Sequence, residues 1–484
     1  MTGTLNDHTR PLVVDLDGTL IRTDMLVESA SQFLIQHPLQ FFKPLLWLMR
    51  GKAALKAELA QRVQLDVSAL PYNTDVLDWL RAEKHSGRHL VLATASHRAL
   101  AEQVAQHLHV FDEVMATENG TNLKSDAKAQ ALVDRFGDGG FDYVGNDWPD
   151  LKVWAKAHVA HVVEAPVALL RGAQAQGNVG QVFDSNRPSP WMAMLKAMRL
   201  HQWMKNLLVF VPLMAAHQYA DAPRDVLALM AFVVFSLTAS SVYLLNDLVD
   251  VQDDRHHARK RNRPFASGAL SLITGWLAWP VLLLVAVVLS ALFLPVMFSA
   301  SLGVYFVLTV AYSLHLKQLA VVDVLTLAAL YTLRIIAGAA AIDVAVSFWL
   351  LLFSMFIFLS LALIKRYSEL KVARDAGKSG ALRGRGYEPE DLELVSSLGG
   401  SAGFIAVLVL ALYIQDGQAA HLYATPQLIW LACPVMLFWI SRAWLIAHRG
   451  RMHDDPIVFA LKDKVSWGVG AFMLSVLGLA RVLS

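Results

Sequence analysis

Residues 246–264 read NDLVDVQDDRHHARKRNRP and close a long apolar run. If the helix of that run continues past its apolar part, Asn246, Asp250 and Asp254 recur at i, i+4 and i+8, with Asp247 one residue from the same line. Carboxylates facing one spot repel one another unless a cation lies among them, and an all-oxygen donor set suits Mg²⁺. Arg255, Arg259, Lys260, Arg261 and Arg263 follow at once and could grip phosphate oxygens. The chemistry indicated is that of a phosphate or diphosphate ester. The plainer alternative, a solvated loop whose basic residues meet anionic lipid, does not explain the spaced Asn and Asp. Lys205, Lys317, Lys365 and Arg366 are further phosphate candidates, although Lys205 in QWMKN also reads as an interfacial anchor. Asp455 is a weaker candidate.

A second group lies nearer the start. PLVVDLDGTL reads as a buried strand running into a turn with Asp15 and Asp17 at its mouth. HLVLATAS is another buried strand, ending at Thr94; SDAKAQAL contributes Lys128, and FDYVGNDWPDL contributes Asn146, Asp147 and Asp150.

The elements that carry these groups are of two kinds. The chain has 484 residues, 55% hydrophobic and 17% charged, with a formal net charge of +2. Up to about residue 190 charged and apolar residues mix as in a globular domain, whereas from about 205 long apolar runs alternate with short polar loops. The expected organisation is a domain at 1–170 with an inserted cap at about 25–88, a Gly-, Gln- and Ser-rich linker at 171–190, and a helical membrane domain at 191–484. Nine spans are predicted, centred near residues 212, 236, 282, 306, 331, 356, 407, 436 and 474. Lys and Arg concentrate in the loops after the second, fourth, sixth and eighth spans. The positive-inside rule puts those loops and the N-terminal domain in the cytoplasm, with the C-terminus outside. The opening MTGTLNDHTR is polar and does not read as a signal peptide. A lone cysteine, Cys433, excludes a disulfide framework or a Cys-based metal site within one chain. In the cap, FLIQHPLQFFKPLLWLMRGKAALK is apolar, aromatic and basic; it reads either as a buried cap interface or as a face lying on a membrane.

The first group resembles the UbiA superfamily of intramembrane prenyltransferases, whose first Asp-rich motif matches Asn246, Asp247, Asp250 and Asp254. LHQWMKNLLVF, YLLNDLVDVQDDRHHARKRNRPFASG, YSLHLKQLAVVDV, LRIIAGAAA and KRYSEL look more like the polyprenyl-phosphate phosphoribosyltransferases, over roughly residues 192–484. KRYSEL puts Lys365, Arg366 and Glu369 where the aromatic prenyltransferases carry a second Asp-rich motif, which favours direct cationic contacts to a phosphate. The second group resembles the haloacid dehalogenase-like hydrolases. That resemblance implies an α/β Rossmann-like fold with a small helical cap. It also implies Asp15 as phosphoryl acceptor, Asp17 as acid/base, Thr94 and Lys128 as phosphate ligands, and Mg²⁺ held with help from Asn146, Asp147 and Asp150.

Together the resemblances imply a bifunctional membrane enzyme, Mg²⁺-dependent in both domains. It would transfer 5-phosphoribose from phosphoribosyl diphosphate to polyprenyl phosphate and then remove the 5-phosphate, as in the route to arabinose donors for the cell wall. Membrane lipid and a second copy of the chain are the other partners considered; no nucleic acid is expected. The alternatives are prenyl transfer to an aromatic or quinone acceptor with an unrelated phosphatase-like domain, and a lipid transporter with a regulatory domain. A transporter calls for ionisable residues near the bilayer midplane, and only Asp323 and Arg334 stand there.

Overall fold

A computed structural model describes residues 10–118, 123–184, 187–219, 221–377, 380, 385–415, 423–452 and 455–482. Residues 378–379 and 381–384 of the third basic loop, 453–454 of the fourth and 185–186 of the expected linker lie outside them. The chain forms two compact units, residues 1–198 with 244–278, and residues 199–243 with 279–484.

The first unit is built on a six-stranded parallel sheet of order β3-β2-β1-β4-β5-β6. The strands are β1 (Leu12–Val14), β2 (Leu90–His97), β3 (Glu113–Thr117), β4 (Asp142–Gly145), β5 (Ala160–Val163) and β6 (Val179–Phe183). Leu12 and Val14 pack into one hydrophobic cluster and Val13 into another, so both faces of the central strand are covered. A parallel strand buried on both sides reads as the continuous apolar run seen in the sequence. Four helices, α1 (Met25–Gln36), α2 (Lys43–Met49), α3 (Lys52–Arg62) and α4 (Thr74–His85), lie between β1 and β2 along the chain, over the range expected for a cap. They are followed by α5 (Arg98–Leu108), α6 (Asp126–Phe136), α7 (Leu151–Trp154), α8 (Val167–Gln176) and α9 (Pro190–Ala197). Part of the stretch read from composition as linker is therefore ordered structure: α8 runs to Gln176 and β6 pairs with β5. Composition weighs residue types, whereas β6 owes its conformation to a neighbouring edge.

After the short α10 (Val211–Ala215) come α11 (Ala222–Val249), α12 (Val251–His256) and α13 (Leu272–Phe293). The end of α11, α12, the loop that follows and the first turns of α13 belong to the first unit. Trp276 Nε1 of α13 donates to Ser31 Oγ of α1 at 2.9 Å, and Arg187 Nη1 donates to the Gly268 carbonyl at 3.2 Å.

The second unit is helical, with α14 (Val296–Leu314), α15 (Val322–Ala341), α16 (Phe348–Asp375), α17 (Leu392–Gln415), α18 (Ala432–His448), α19 (Pro456–Lys462) and α20 (Lys464–Val482). Among the described residues eight helices are long and apolar enough to cross a membrane. The predicted span near residue 212 is not one of them. It resolves into a 3₁₀ segment, Leu200–Phe210, and α10, because Lys205 and Asn206 are buried against polar partners instead of facing lipid. Gly338 of α15 admits that segment closely: a Cβ there would stand 2.0 Å from the Val209 carbonyl oxygen.

Candidate functional site

β1, β2 and β4 run side by side in the same direction, so their carboxyl ends open on one crevice, where the strand order reverses. Asp15 and Asp17 leave β1 there, Thr94 and Ser96 come from β2, and Asn146–Asp150 leave β4. Gly18, with φ +78°, makes the turn, and a Cβ on it would lie 2.3 Å from Asn146 Nδ2. Lys128 Nζ donates to Asp15 Oδ1 at 2.7 Å and to Tyr143 Oη at 3.0 Å, and Tyr143 in turn donates to Asp150 Oδ1 at 2.9 Å. Asp150 Oδ2 accepts the backbone N–H groups of Asn146 and Asp147. Asp17 Oδ1 accepts the Met25 N–H at 2.8 Å, and Oδ2 accepts Ser96 Oγ at 2.8 Å and Thr94 Oγ1 at 3.4 Å.

Burial raises the Asp15 carboxyl to about 7 against the opposing pull of Lys128, and the Asp150 and Asp17 charges add to the rise. Burial likewise raises Asp17 to about 6, helped by Asp24. The site thus offers a carboxylate nucleophile gripped by one lysine and a second carboxyl able to hold a proton near neutrality. The residues expected here lie around one crevice; in this arrangement Asp150 Oδ2 is engaged by the Asn146 and Asp147 N–H groups, and Asp147 Oδ1 caps the Trp148 N–H. Tyr143 and Ser96 were not foreseen. Tyr143 sits on a strand that reads simply as buried, and its inward hydroxyl has no signature in sequence spacing.

At the acidic segment, helical hydrogen bonding carries on across the junction of α11 and α12: Asp250 N–H donates to the Asn246 carbonyl and Asp254 N–H to the Asp250 carbonyl, each at 2.8 Å. Asn246, Asp250 and Asp254 are thus linked in turn by backbone hydrogen bonds, although Asp250, with φ −87° and ψ 7°, interrupts the helix between α11 and α12. Asp247 and Asp254 are buried and are bridged by Arg263, whose Nη1 lies 3.1 Å from Asp247 Oδ1 and 2.6 Å from Asp254 Oδ2. Lys260 Nζ stands 4.0 Å from Asp254 Oδ1, and Arg261 is exposed. Burial raises the Asp254 carboxyl; Arg263 opposes the shift and Asp247 adds to it.

Arg255 departs from the expectation of phosphate binding. Its Nη1 and Nη2 donate to Glu28 Oε2 and Oε1 of α1 at 3.0 and 2.6 Å, and its Nε donates to the Ala266 carbonyl. Three of the five N–H groups of this buried guanidinium are thus engaged within the protein.

In the second unit Asp455 gathers what the sequence separates. Its Oδ2 accepts Lys205 Nζ at 2.8 Å and Lys365 Nζ at 3.4 Å, Tyr331 Oη lies 3.4 Å away, and Oδ1 caps the Ile457 N–H of α19. Burial pushes this carboxyl up, but Lys365 and Lys205 hold it below the usual carboxylate range. Tyr331, Lys365 and Asp455 line a small cleft with Leu327, Leu361 and Ile457. Arg366 is fully buried and forms ion pairs with Asp323 at 2.5 Å and with Glu369. Lys317 lies in the 3₁₀ turn Leu316–Gln318 after α14. The two ionisable residues noted for a transporter have internal roles, since Asp323 also accepts the Tyr387 hydroxyl and Arg334 donates to Asn206 Oδ1 and Tyr305 Oη.

A doubly wound sheet with a carboxylate, hydroxyl and lysine crevice, joined in one chain to a bundle of membrane helices with an acidic helix end, defines an integral membrane transferase bearing a hydrolase-type domain. The chain belongs to the UbiA prenyltransferase family, whose model matches residues 206–462, and residues 12–135 match the haloacid dehalogenase-like hydrolase model. It is 36% identical to the uncharacterized protein y4nM of Sinorhizobium fredii, covering 97% of this chain and 90% of that one. It is 40% identical to nodulation protein NoeC of Azorhizobium caulinodans over 60% of this chain and 92% of NoeC. Decaprenyl-phosphate phosphoribosyltransferase of Mycolicibacterium smegmatis is 33% identical over 56% of this chain and 87% of its own length.

Proposed function

We propose that the membrane domain transfers 5-phosphoribose from phosphoribosyl diphosphate to a polyprenyl phosphate and that the phosphatase-like domain then removes the 5-phosphate, leaving polyprenyl-phosphoryl-ribose. The likeness to decaprenyl-phosphate phosphoribosyltransferase supports the first step. The observation that carries the pairing of the two steps is the Arg255–Glu28 contact, which fastens the helix opening beside Asp17 to the acidic segment.

Mg²⁺ is the cofactor proposed for both sites, and the donor sets fit it. Asp247 and Asp254 flank Arg263, with Lys260 4.0 Å from Asp254, and Asp15, Asp17 and Asp150 stand around Lys128, so each site gathers carboxylate oxygens of the kind that suits the ion. Asn246, Asp247, Asp250 and Asp254 would hold the ion in the first site, and Asp15, Asp17, Asn146, Asp147 and Asp150 in the second. Among the described residues no three carboxylate or imidazole groups converge tightly enough to hold a metal unaided, so substrate or water oxygens would complete either shell. When bound, the ion supplies charge stabilisation for the departing pyrophosphate or phosphate.

The polyprenyl phosphate is already anionic and needs no base. Its oxygen forms the bond to C1 as the bond from C1 to pyrophosphate breaks and the electron pair leaves with pyrophosphate. Lys260, Arg261 and Arg263 are proposed to hold the leaving group; Lys205, Lys317 and Lys365 are proposed as phosphate ligands. In the second reaction Asp15 attacks the 5-phosphate, Asp17 gives its proton to the ribose oxygen, and water then hydrolyses the aspartyl phosphate. Thr94 and Lys128 orient the phosphate oxygens.

The test uses the full chain in lipid nanodiscs with polyprenyl phosphate, phosphoribosyl diphosphate and Mg²⁺, followed by mass spectrometry of the lipid extract. Lipid-linked ribose should appear; Asp15→Asn should accumulate its 5-phosphate form, and Asp250→Asn should make neither. An extract without pentose-bearing lipid refutes the transferase reading. An unchanged ratio of the two lipids in Asp15→Asn refutes the phosphatase reading alone.

A further inference from the structure

Among the described residues between 10 and 184, ten large apolar side chains are exposed, and seven of them fall in one stretch of the cap: Leu39, Phe41, Phe42, Leu45, Leu46, Leu48 and Met49. Trp47 alone of α2 turns inward, packing edge-on against Phe33 of α1 at 5.0 Å between ring centroids. A helix that buries one anchor and presents Leu45, Leu46, Leu48 and Met49 outward is not built for water. The segment lacks Asp and Glu from Pro38 to Ala57, while Lys43, Arg50 and Lys52 flank the apolar face; Arg50 and Lys52 are exposed and Lys43 is half-buried.

What covers this face is indicated by its neighbour. α1, on which Trp47 packs, is hydrogen-bonded through Ser31 to Trp276, five residues into the membrane-crossing helix α13. The cap is thus continuous with the end of a membrane span, at the level where a Trp with its N–H satisfied commonly marks the interface. The apolar side chains lie outside the spans, on or just before a helix packed through Trp47 against α1.

We propose that Leu39–Met49 is an interfacial anchor. Its apolar side chains enter the head-group boundary of the same bilayer that α13 crosses, and Lys43, Arg50 and Lys52 rest on anionic head groups. The anchor holds the cap of the phosphatase-like crevice against the membrane, whatever ester that crevice hydrolyses.

The test places an environment-sensitive fluorophore on the full chain, in a Cys433→Ser background, at Leu45→Cys, at Met49→Cys and at the control Asp138→Cys. Asp138 is exposed in the loop ahead of β4, at the end of the sheet opposite the crevice. In nanodiscs containing phosphatidylglycerol, lipid carrying a shallow spin-label quencher should quench positions 45 and 49 several-fold more than 138, and aqueous iodide should show the reverse order. Iodide quenching at 45 and 49 equal to that at 138 would overturn the proposal. Labels shielded from both quenchers would also overturn it, because a protein partner or a second copy would then cover the face.

Discussion

Arg255 and Glu28 are expected to behave as one structural unit. Their side chains are 3% and 1% exposed, and Glu28 also accepts the Thr23 hydroxyl. Replacing either partner singly, as Glu28→Gln or Arg255→Met, strands a charge or a polar group in a buried place, at a cost of about 3–5 kcal/mol. Replacing both, as Glu28→Leu with Arg255→Met, removes the charges together. What is then lost is the hydrogen bond from Arg255 Nε to the Ala266 carbonyl and that from Thr23 to Glu28, about 1 kcal/mol each. The double variant should therefore cost about 2 kcal/mol, far less than two single losses added together. Hydrogen exchange of the α1 amides in nanodiscs reads the local opening free energy for parent, singles and double. At a temperature where the double variant stays folded, its KM for phosphoribosyl diphosphate should match that of the parent. Additive single effects, or a KM raised tenfold or more in a well-folded double variant, would refute this reasoning and return Arg255 to the phosphate ligands that its place in the sequence suggests.

Gly18→Ala adds a methyl group in the left-handed region and against Asn146, and should abolish phosphatase turnover while lipid-linked phosphoribose still forms; the two lipid products report this directly. Lys205→Met and Lys365→Met each remove a charged hydrogen-bond donor worth about 1.5–3 kcal/mol, so kcat/KM for transfer should fall about 10- to 100-fold, and an unchanged value would exclude phosphate contact by that lysine. Cysteines introduced at Lys317 and Arg451 in a Cys433→Ser background should label from the same side of the membrane as one at Asp138, and labelling from opposite sides would overturn the orientation assigned from the basic loops.

Much of this protein is legible along the chain. β1 and β4 are short apolar runs that end in chemistry-bearing turns, so Asp15, Asp17, Asn146 and Asp150 could be placed before any fold was known. The long apolar helices and the i, i+4, i+8 line from Asn246 to Asp254 are local periodicities, set by the pitch of one element. The chain alone also carried both family resemblances. Tertiary structure decided the rest, because a buried ion pair depends on which surfaces meet. Arg255 looks like its basic neighbours until it is found on Glu28, 227 positions away, and Arg366 until it is found on Asp323. Asp455 becomes central only because Lys205, 250 positions away, is folded onto it together with Lys365. The segment Leu39–Met49 reads from its composition either as a buried interface or as a face on a membrane, and only packing reveals that Trp47 alone of α2 turns inward. Spacing along the chain predicts which side chains share a face of one element, whereas burial and pairing are properties of faces brought together by the fold.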